Sequence, residues 1–201
     1  MPLMAIKTKG RILSVSFSKD GGRIVSGSDA CRVQVWNTST GAEIQHLNGH
    51  TDEVNSVEFS YDGTSIVSGS DDKSMRVWDV STGAELHQLS GHADRINSVA
   101  FSHDSTHIVS GSCDKSVRLW DASTGAQQQQ LNGHTDWVRS VAFSHNDVYI
   151  VSGSDDKSVR VWDALTGVEL QQLIGHTQRI NSVAFSHDST YIVSGSCDTS
   201  V

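Results

Sequence analysis

Residues 49–79 read GHTDEVNSVEFSYDGTSIVSGSDDKSMRVWD, and this stretch decides the fold of the chain. It contains three short runs rich in β-branched and aromatic residues. Turn signals separate these runs, one at Asp62-Gly63 and one at Asp71-Asp72-Lys73. Short runs of this composition between such turns are typical of β-strands. The stretch therefore predicts three consecutive strands.

The same pattern returns along the chain at a fixed period of 42 residues. Gly-His pairs return at residues 91–92, 133–134 and 175–176, and Trp-Asp pairs at residues 120–121 and 162–163. A constant period of this size indicates a repeat architecture, in which each unit buries its apolar side chains against its neighbours. The predicted repeats are residues 1–42, 43–84, 85–126, 127–168 and 169–201.

The first and last repeats depart from the pattern. In the first, Thr8 and Ala30 stand where other copies have His and Asp, although Trp36 is kept. The last stops before its Trp-Asp pair would come. Helical periodicity is absent and the only proline is Pro2, so an all-β fold is predicted.

Composition limits the classes of function. The formal net charge of −8 argues against a nucleic-acid groove or an anionic membrane surface as the main partner. No apolar run of 18 residues is present, and the first residues lack the apolar core of a signal peptide. Three cysteines do not make a disulfide framework. We therefore expect a soluble cytoplasmic or nuclear protein with no nucleic-acid or membrane partner.

The Gly-His and Trp-Asp pairs and the Ser-Gly-Ser cores keep one phase over nearly the whole chain. In this the sequence resembles the WD-repeat β-propeller family. The resemblance implies four-stranded antiparallel blades around a channel, here four blades plus a partial fifth. Either the ring is incomplete, or residues 1–5 supply a strand to the last blade. Because rings of the family usually have more blades, we expect a fragment, a truncated gene product or a homo-oligomer that completes the ring.

The resemblance also implies a hydrogen-bonded tetrad of His, Ser, Asp and Trp inside each full blade. The chemistry is suitable, since Asp accepts from an imidazole N–H and an indole N–H donates to Ser. The last repeat offers His176, Ser194 and Asp198 without a Trp. The three complete structural tetrads are His50, Ser68, Asp72 and Trp78; His92, Ser110, Asp114 and Trp120; and His134, Ser152, Asp156 and Trp162.

A Ser, a His and an Asp close together could also form a hydrolase triad. Repetition of the set in blade after blade argues against this hypothesis, as does the lack of Gly-x-Ser-x-Gly, Walker A and HExxH sequences. The tetrad histidines belong to different blades, which argues against a shared metal ion. We expect no enzyme activity, catalytic residue, metal or cofactor. His103, His145 and His187 are expected to be solvated turn residues.

In the family that the chain resembles, the face with the Gly-His loops is the usual binding surface. Its variable positions flank the first apolar residue of the first strand and include the residue before the tetrad Asp. Trp and Arg are common at interface hot spots. The candidate partner-binding residues are Arg11, Glu53, Asn55, Arg95, Asn97, Trp137, Arg139, Arg179, Asn181, Asp71 and Asp155.

Trp137 is singular, because the other copies with a Gly-His pair have Glu53, Arg95 or Arg179 at its position. It is either an exposed anchor for a partner or partly covered by a neighbouring loop, and the arginines either contact a partner or form a solvated rim paired with acids. The leading hypothesis is a non-catalytic scaffold that binds a protein or peptide on this face. The alternatives are multivalent recognition of a small molecule or glycan, or the sensing part of a larger signalling protein.

Overall fold

A computed structural model describes residues 5–201, and this part of the chain forms five antiparallel β-sheets and no helix. Four of the sheets have four strands each, paired in sequence order, and the fifth has two strands. This arrangement confirms the predicted fold class: four complete blades and a partial fifth. The strand predicted from residues 1–5 falls almost wholly outside the described residues, and Ala5 lies in no strand.

The strands are numbered in chain order. The first blade comprises β1 (Ile12–Phe17), β2 (Arg23–Ser28), β3 (Val33–Asn37) and β4 (Glu43–Leu47). The second comprises β5 (Val54–Phe59), β6 (Ser65–Ser70), β7 (Ser74–Asp79) and β8 (Glu85–Ser90). The third comprises β9 (Ile96–Phe101), β10 (His107–Ser112), β11 (Val117–Asp121) and β12 (Gln127–Leu131). The fourth comprises β13 (Val138–Phe143), β14 (Tyr149–Ser154), β15 (Ser158–Asp163) and β16 (Glu169–Ile174), and the fifth β17 (Ile180–Phe185) and β18 (Ile192–Ser196).

The Asp of the Trp-Asp pair holds the turn between the last two strands of a blade. Oδ1 of Asp79 accepts hydrogen bonds from the backbone N–H groups of Ser81 (3.0 Å) and Thr82 (2.7 Å). Hydrogen bonds from Ser81 and Thr82 lower the pKa of Asp79 to about 2. The turn then passes through Gly83 at φ +73°, a left-handed conformation that glycine adopts without strain.

Adjacent blades pack so closely that a glycine is required in the second strand of each of the first four blades. A Cβ atom on Gly27 would lie 2.8 Å from Cγ1 of Val54 in the next blade. Gly69, Gly111 and Gly153 meet the next blade in the same way. A serine strengthens the contact, since Ser14 Oγ accepts from the backbone N–H of Val57 at 3.1 Å.

A Trp of each complete blade after the first packs in one core cluster with a Leu of the preceding blade. Trp78 is 1 % exposed and lies in one cluster with Leu47, which is 2 % exposed. The same pairing occurs between Trp120 and Leu89 and between Trp162 and Leu131. Truncation of such a Trp costs about 3–5 kcal/mol, so these pairs are main sources of stability.

The two end blades each leave one face uncovered within residues 5–201. Phe17 of the first blade is 65 % exposed, whereas its counterpart Phe59 is 4 % exposed. In the fifth blade, a Cβ on Gly195 would meet nothing within 4 Å. The blades of the described residues are thus joined in series, with the first and last faces open.

Candidate functional site

The predicted tetrad of the second blade forms a continuous chain of hydrogen bonds. Trp78 Nε1–H donates to Ser68 Oγ at 2.9 Å, and His50 Nε2 lies 2.8 Å from the same oxygen. His50 Nδ1 lies 2.7 Å from Asp72 Oδ2. With the imidazole neutral and its proton on Nδ1, Ser68 donates to His50 and His50 donates to Asp72, so each group is satisfied.

The third and fourth blades have the same complete tetrad, whereas the fifth and first blades have only part of it. In the third and fourth blades the three distances lie between 2.7 and 2.9 Å. In the fifth blade His176 bonds Asp198 and Ser194, both at 2.9 Å, without an indole donor. In the first blade only the bond from Trp36 to Ser26 is present, at 2.8 Å.

The tetrad carboxylates stay ionised despite their surroundings. Burial alone would raise the pKa of Asp72, but hydrogen bonds from His50 and Ser74 hold that pKa well below its ordinary value. In the third blade, burial lowers the pKa of His92, although Asp114 opposes this shift. A neutral imidazole between a carboxylate and a hydroxyl therefore fits the site.

The three complete tetrads are not arranged for nucleophilic catalysis. Ser68, Ser110 and Ser152 are 0 % exposed, and each Oγ already accepts an indole N–H. A substrate cannot reach these oxygens in the folded protein. The tetrads instead tie the Gly-His loop of a blade to a turn and two strands, and so fix the surface above them.

A β-bulge in each first strand shapes that surface. The pairing between the first and second strands of every blade skips one residue. A bulge of this kind leaves a residue unpaired and re-aims its side chain. The skipped residues are Leu13, Asn55, Asn97, Arg139 and Asn181.

In each blade, a backbone hydrogen bond joins the residue before the first strand to the residue at the tetrad turn, so that these candidate residues are adjacent. The N–H of Asp71 donates to Glu53 O at 2.8 Å, and the N–H of Asp155 donates to Trp137 O at 2.9 Å. The equivalent bond forms in all five blades at 2.8 to 3.0 Å, with Arg11, Arg95 and Arg179 as the acceptors in the other three. We call the surface made by these acceptor residues, the skipped residues and the residues before the tetrad Asp the rim.

Two candidate residues of the rim, Asn55 and Asn97, donate hydrogen bonds to the neighbouring blade. Asn55 Nδ2 donates to Ile96 O at 3.0 Å, and Asn97 Nδ2 donates to Val138 O at 2.8 Å. Asn55 also donates to Asp71 Oδ1 at 2.6 Å. These amides hold blades together as well as lining the rim.

The rim arginines have different partners. Arg139 binds both carboxylate oxygens of Asp155, and Arg95 lies 3.3 Å from Asp71 of the preceding blade. Arg11 lies 3.6 Å from Asp29. Arg179 donates to Cys197 Sγ at 3.2 Å, and Asn181 donates to the same sulfur at 3.1 Å.

Trp137 stands on the rim with 40 % of its surface exposed. Arg139 Cζ lies 4.9 Å from the centre of the Trp137 ring, within the range of a cation–π contact. The indole is thus supported by a neighbouring side chain and still open to solvent.

Glu58, a carboxyl group that sequence reasoning missed, lies on β5 at the end of the strand that is remote from the rim. Glu58 Oε2 accepts from the backbone N–H of Phe101 at 2.6 Å. Burial raises the pKa of Glu58 to about 7, although this hydrogen bond lowers it. The sequence did carry a signal, since the three later repeats have Ala100, Ala142 and Ala184 at this position.

At the same end of the blades, four rings follow one another in contact across consecutive turns. The centroid separations are 4.1 Å for Tyr61 and His103, 4.3 Å for His103 and His145, and 4.4 Å for His145 and His187. His103 is half-buried and its Nδ1 lies 3.3 Å from Asp147, so the prediction of a solvated turn residue is wrong for His103. His145 and His187 are exposed. We call these four residues the ring column.

Two negative findings apply to residues 5–201. No group of three or more His, Cys, Asp or Glu side chains there is arranged to hold a metal ion. No helix of this part of the chain is long and apolar enough to cross a membrane.

Comparison with protein families gives one result. A model described as "WD domain, G-beta repeat" matches five segments that together cover most of the chain. The matched segments are residues 3–37, 41–79, 83–121, 125–163 and 167–201. No curated protein matches the sequence.

Proposed function

Because the chain belongs to the WD-repeat family, we propose that it is a non-catalytic scaffold that binds a segment of a partner protein on its rim. WD-repeat domains generally act as protein-interaction scaffolds. The rim is a suitable surface for binding a partner, because the rigid blades hold the side chains of its loops in place.

One observation carries the proposal: Trp137 is 40 % exposed while its ring is supported by Arg139. An exposed Trp held in place by a neighbour loses little side-chain entropy on binding, and Trp is enriched in interface hot spots. The blades on either side contribute Arg95 and Arg179. A partner segment with an apolar anchor next to acidic side chains would complement this sector.

The test starts from a displayed peptide library and a glycan array, both probed with the wild-type chain. Peptides that bind are then measured against a triple variant with Trp137, Arg95 and Arg179 changed to Ala. The matched control is Leu165→Ala, because Leu165 is 86 % exposed at the opposite end of the strands. We expect affinity to fall at least about tenfold for the triple variant and to stay unchanged for the control.

Two outcomes would contradict the proposal. Peptides that bind the triple variant as tightly as the wild type would place the interaction elsewhere. Binding to glycans alone would assign the chain to the other class of recognition considered above.

A further inference from the structure

At the end remote from the rim, the turns of the fourth blade carry exposed apolar residues. Leu165 is 86 % exposed and Val148 is 44 % exposed. The two turns are adjacent, since the N–H of Ala164 donates to Val148 O at 2.9 Å. Val168, on the same turn as Leu165, is 57 % exposed. We call Val148, Leu165 and Val168 the apolar patch.

The other repeats have a polar residue at the position of Leu165. Ser81 and Ser123 occupy it in the second and third blades. Their hydroxyl groups donate to Asp79 at 2.6 Å and to Asp121 at 2.7 Å, which strengthens the turn. A leucine makes no such bond, so the fourth blade gives up a hydrogen bond and exposes an apolar side chain in its place.

The position of Val148 shows the same exchange. Thr64 and Thr106 occupy it in the second and third blades, and their hydroxyl groups donate to Asp62 at 2.9 Å and to Asp104 at 2.7 Å. These threonines, like the serines above, are exposed, so the fourth blade differs in residue type and not in exposure. Two adjacent departures from the local rule are expected where a surface has a further role.

A cavity between the third and fourth blades opens beside the apolar patch. Its volume is about 160 Å³, and Leu165 forms part of its wall. Leu119 and Phe143 add apolar lining, and Asp104 and Asp147 add carboxylates. An apolar cavity of about 150 Å³ holds a molecule the size of benzene. The cavity therefore suits one aliphatic or small aromatic side chain.

The charges around the apolar patch are negative. Hydrogen bonds from Ser123 and Thr124 lower the pKa of Asp121 to about 2, and bonds from Thr166 lower the pKa of Asp163. On the rim, in contrast, aspartates form ion pairs with arginines. A partner of the apolar patch must therefore supply the positive charge. The turns without any Lys or Arg are residues 102–107, 121–127, 144–149 and 163–169.

We propose that the apolar patch is a second docking surface, for a partner segment with an aliphatic or aromatic side chain between Lys or Arg residues. The apolar side chain enters the cavity beside Leu165, and the cations lie against Asp104, Asp121 and Asp163. An apolar centre with charges around it is typical of protein interfaces, and complementary charge selects the partner. The surface is separate from the rim, so it does not depend on the function proposed above.

The test probes an array of synthetic peptides with the 201-residue chain. Each peptide has the form GRKXRKG, in which X is each of the twenty residue types in turn. A second set has Glu in place of every Arg and Lys. We expect basic peptides with Leu, Ile, Met or Phe at X to bind at least about tenfold more tightly than those with Gly or Ser. The acidic set should not bind.

The decisive variant is the double change Val148→Thr and Leu165→Ser, measured by calorimetry with the best peptide. It introduces the residues of the second and third blades, and Asp163 is in place to accept from the new serine, so the fold should be kept. Binding should weaken at least about tenfold. Leu165→Ala, which removes only exposed atoms, should weaken binding in the same direction. Trp137→Ala on the rim is the matched control and should leave binding unchanged.

Salt tests the role of the carboxylates. An increase in NaCl from about 50 mM to about 300 mM should weaken binding severalfold, because exposed charges are screened. Binding that does not change with salt would overturn the proposal.

Three further results would also overturn it. These are the absence of binding by every basic peptide, equal binding with Gly and Leu at X, and equal binding by the double variant and the wild type. Loss of binding in Trp137→Ala alone would place the basic peptide on the rim, so failure here is distinguishable from failure of the rim proposal.

Discussion

Arg139 connects Trp137 to a carboxylate. Its Cζ lies 4.9 Å from the centre of the indole, while its Nε and Nη2 atoms donate to Asp155 at 2.8 and 2.7 Å. The hydrogen bond from Arg139 to Asp155 raises the pKa of the guanidinium above its ordinary value. A cation–π contact at an exposed site is worth about 0.5–1 kcal/mol. The indole thus contacts a cation that Asp155 holds in place.

This arrangement predicts that Trp137→Ala changes stability little. The free energy of unfolding should fall by about 1 kcal/mol or less, because Trp137 is exposed and a cation–π contact at an exposed site is worth no more than that. Trp162→Ala is the matched control in the same blade, and it should cost about 3–5 kcal/mol since Trp162 is 1 % exposed. Urea denaturation measures both values. Similar losses for the two variants would show that Trp137 is part of the core.

The tetrad predicts a pH-dependent contribution from Asp114. Burial opposes its ionisation, but bonds from His92 and Ser116 hold its pKa well below the ordinary 3.8. A lowered pKa stabilises the folded state above pH 3.8, and the contribution is lost as the pH falls below that value. Asp114→Asn should therefore cost about 2 kcal/mol at pH 7, with a smaller difference from wild type at pH 3.

Urea denaturation at pH 7, 5 and 3 measures this dependence. Asp94→Asn, on the same loop but outside the tetrad, is the control. A difference between wild type and Asp114→Asn that stays constant from pH 7 to pH 3 would contradict the assignment.

The repeat made the blades and the contacts inside each blade predictable. The fixed spacing of His50, Ser68, Asp72 and Trp78 was visible in several copies, so their proximity could be expected before the geometry was known. The alternation of apolar and polar residues likewise predicted the strands. These features depend on distances along the chain within one repeat.

Contacts between blades were harder to predict, because they depend on how two repeats pack. Asn55 was expected to face a partner, yet its amide donates to Ile96 O of the next blade. The bulge that aims Asn55 depends on pairing register, which strand propensity does not specify. The contact between the rings of the ring column could have been predicted from the sequence, since His103 and His145 occupy the same position of the repeat in adjacent blades.

Glu58 predicts a second pH dependence of opposite sign. Burial raises its pKa from 4.5 to about 7, so its contribution to stability is full below pH 4.5 and is lost as the pH rises through 7. Glu58→Gln keeps an acceptor for the N–H of Phe101 and removes the charge. The variant should therefore gain stability relative to wild type between pH 5 and pH 8, by roughly 2 kcal/mol.

Thermal denaturation of wild type and Glu58→Gln at pH 5 and pH 8 measures this gain. Glu43→Gln changes an exposed carboxyl and should show no such trend. Equal effects of Glu58→Gln at both pH values would show that Glu58 does not titrate in this range.

The ring column predicts that neighbouring imidazoles set the protonation of His145. Desolvation and then the charges of His103 and His187 lower the pKa of His145 below its ordinary 6.5. Removal of one neighbour in His187→Gln should raise that pKa, because a like charge no longer opposes protonation. NMR titration of the imidazole protons measures the change, with His46→Gln as a control in the first blade. A lowered histidine pKa also means that the column loses stability as the pH falls below 6.5. An unchanged His145 titration in His187→Gln would exclude coupling between these two neighbouring rings.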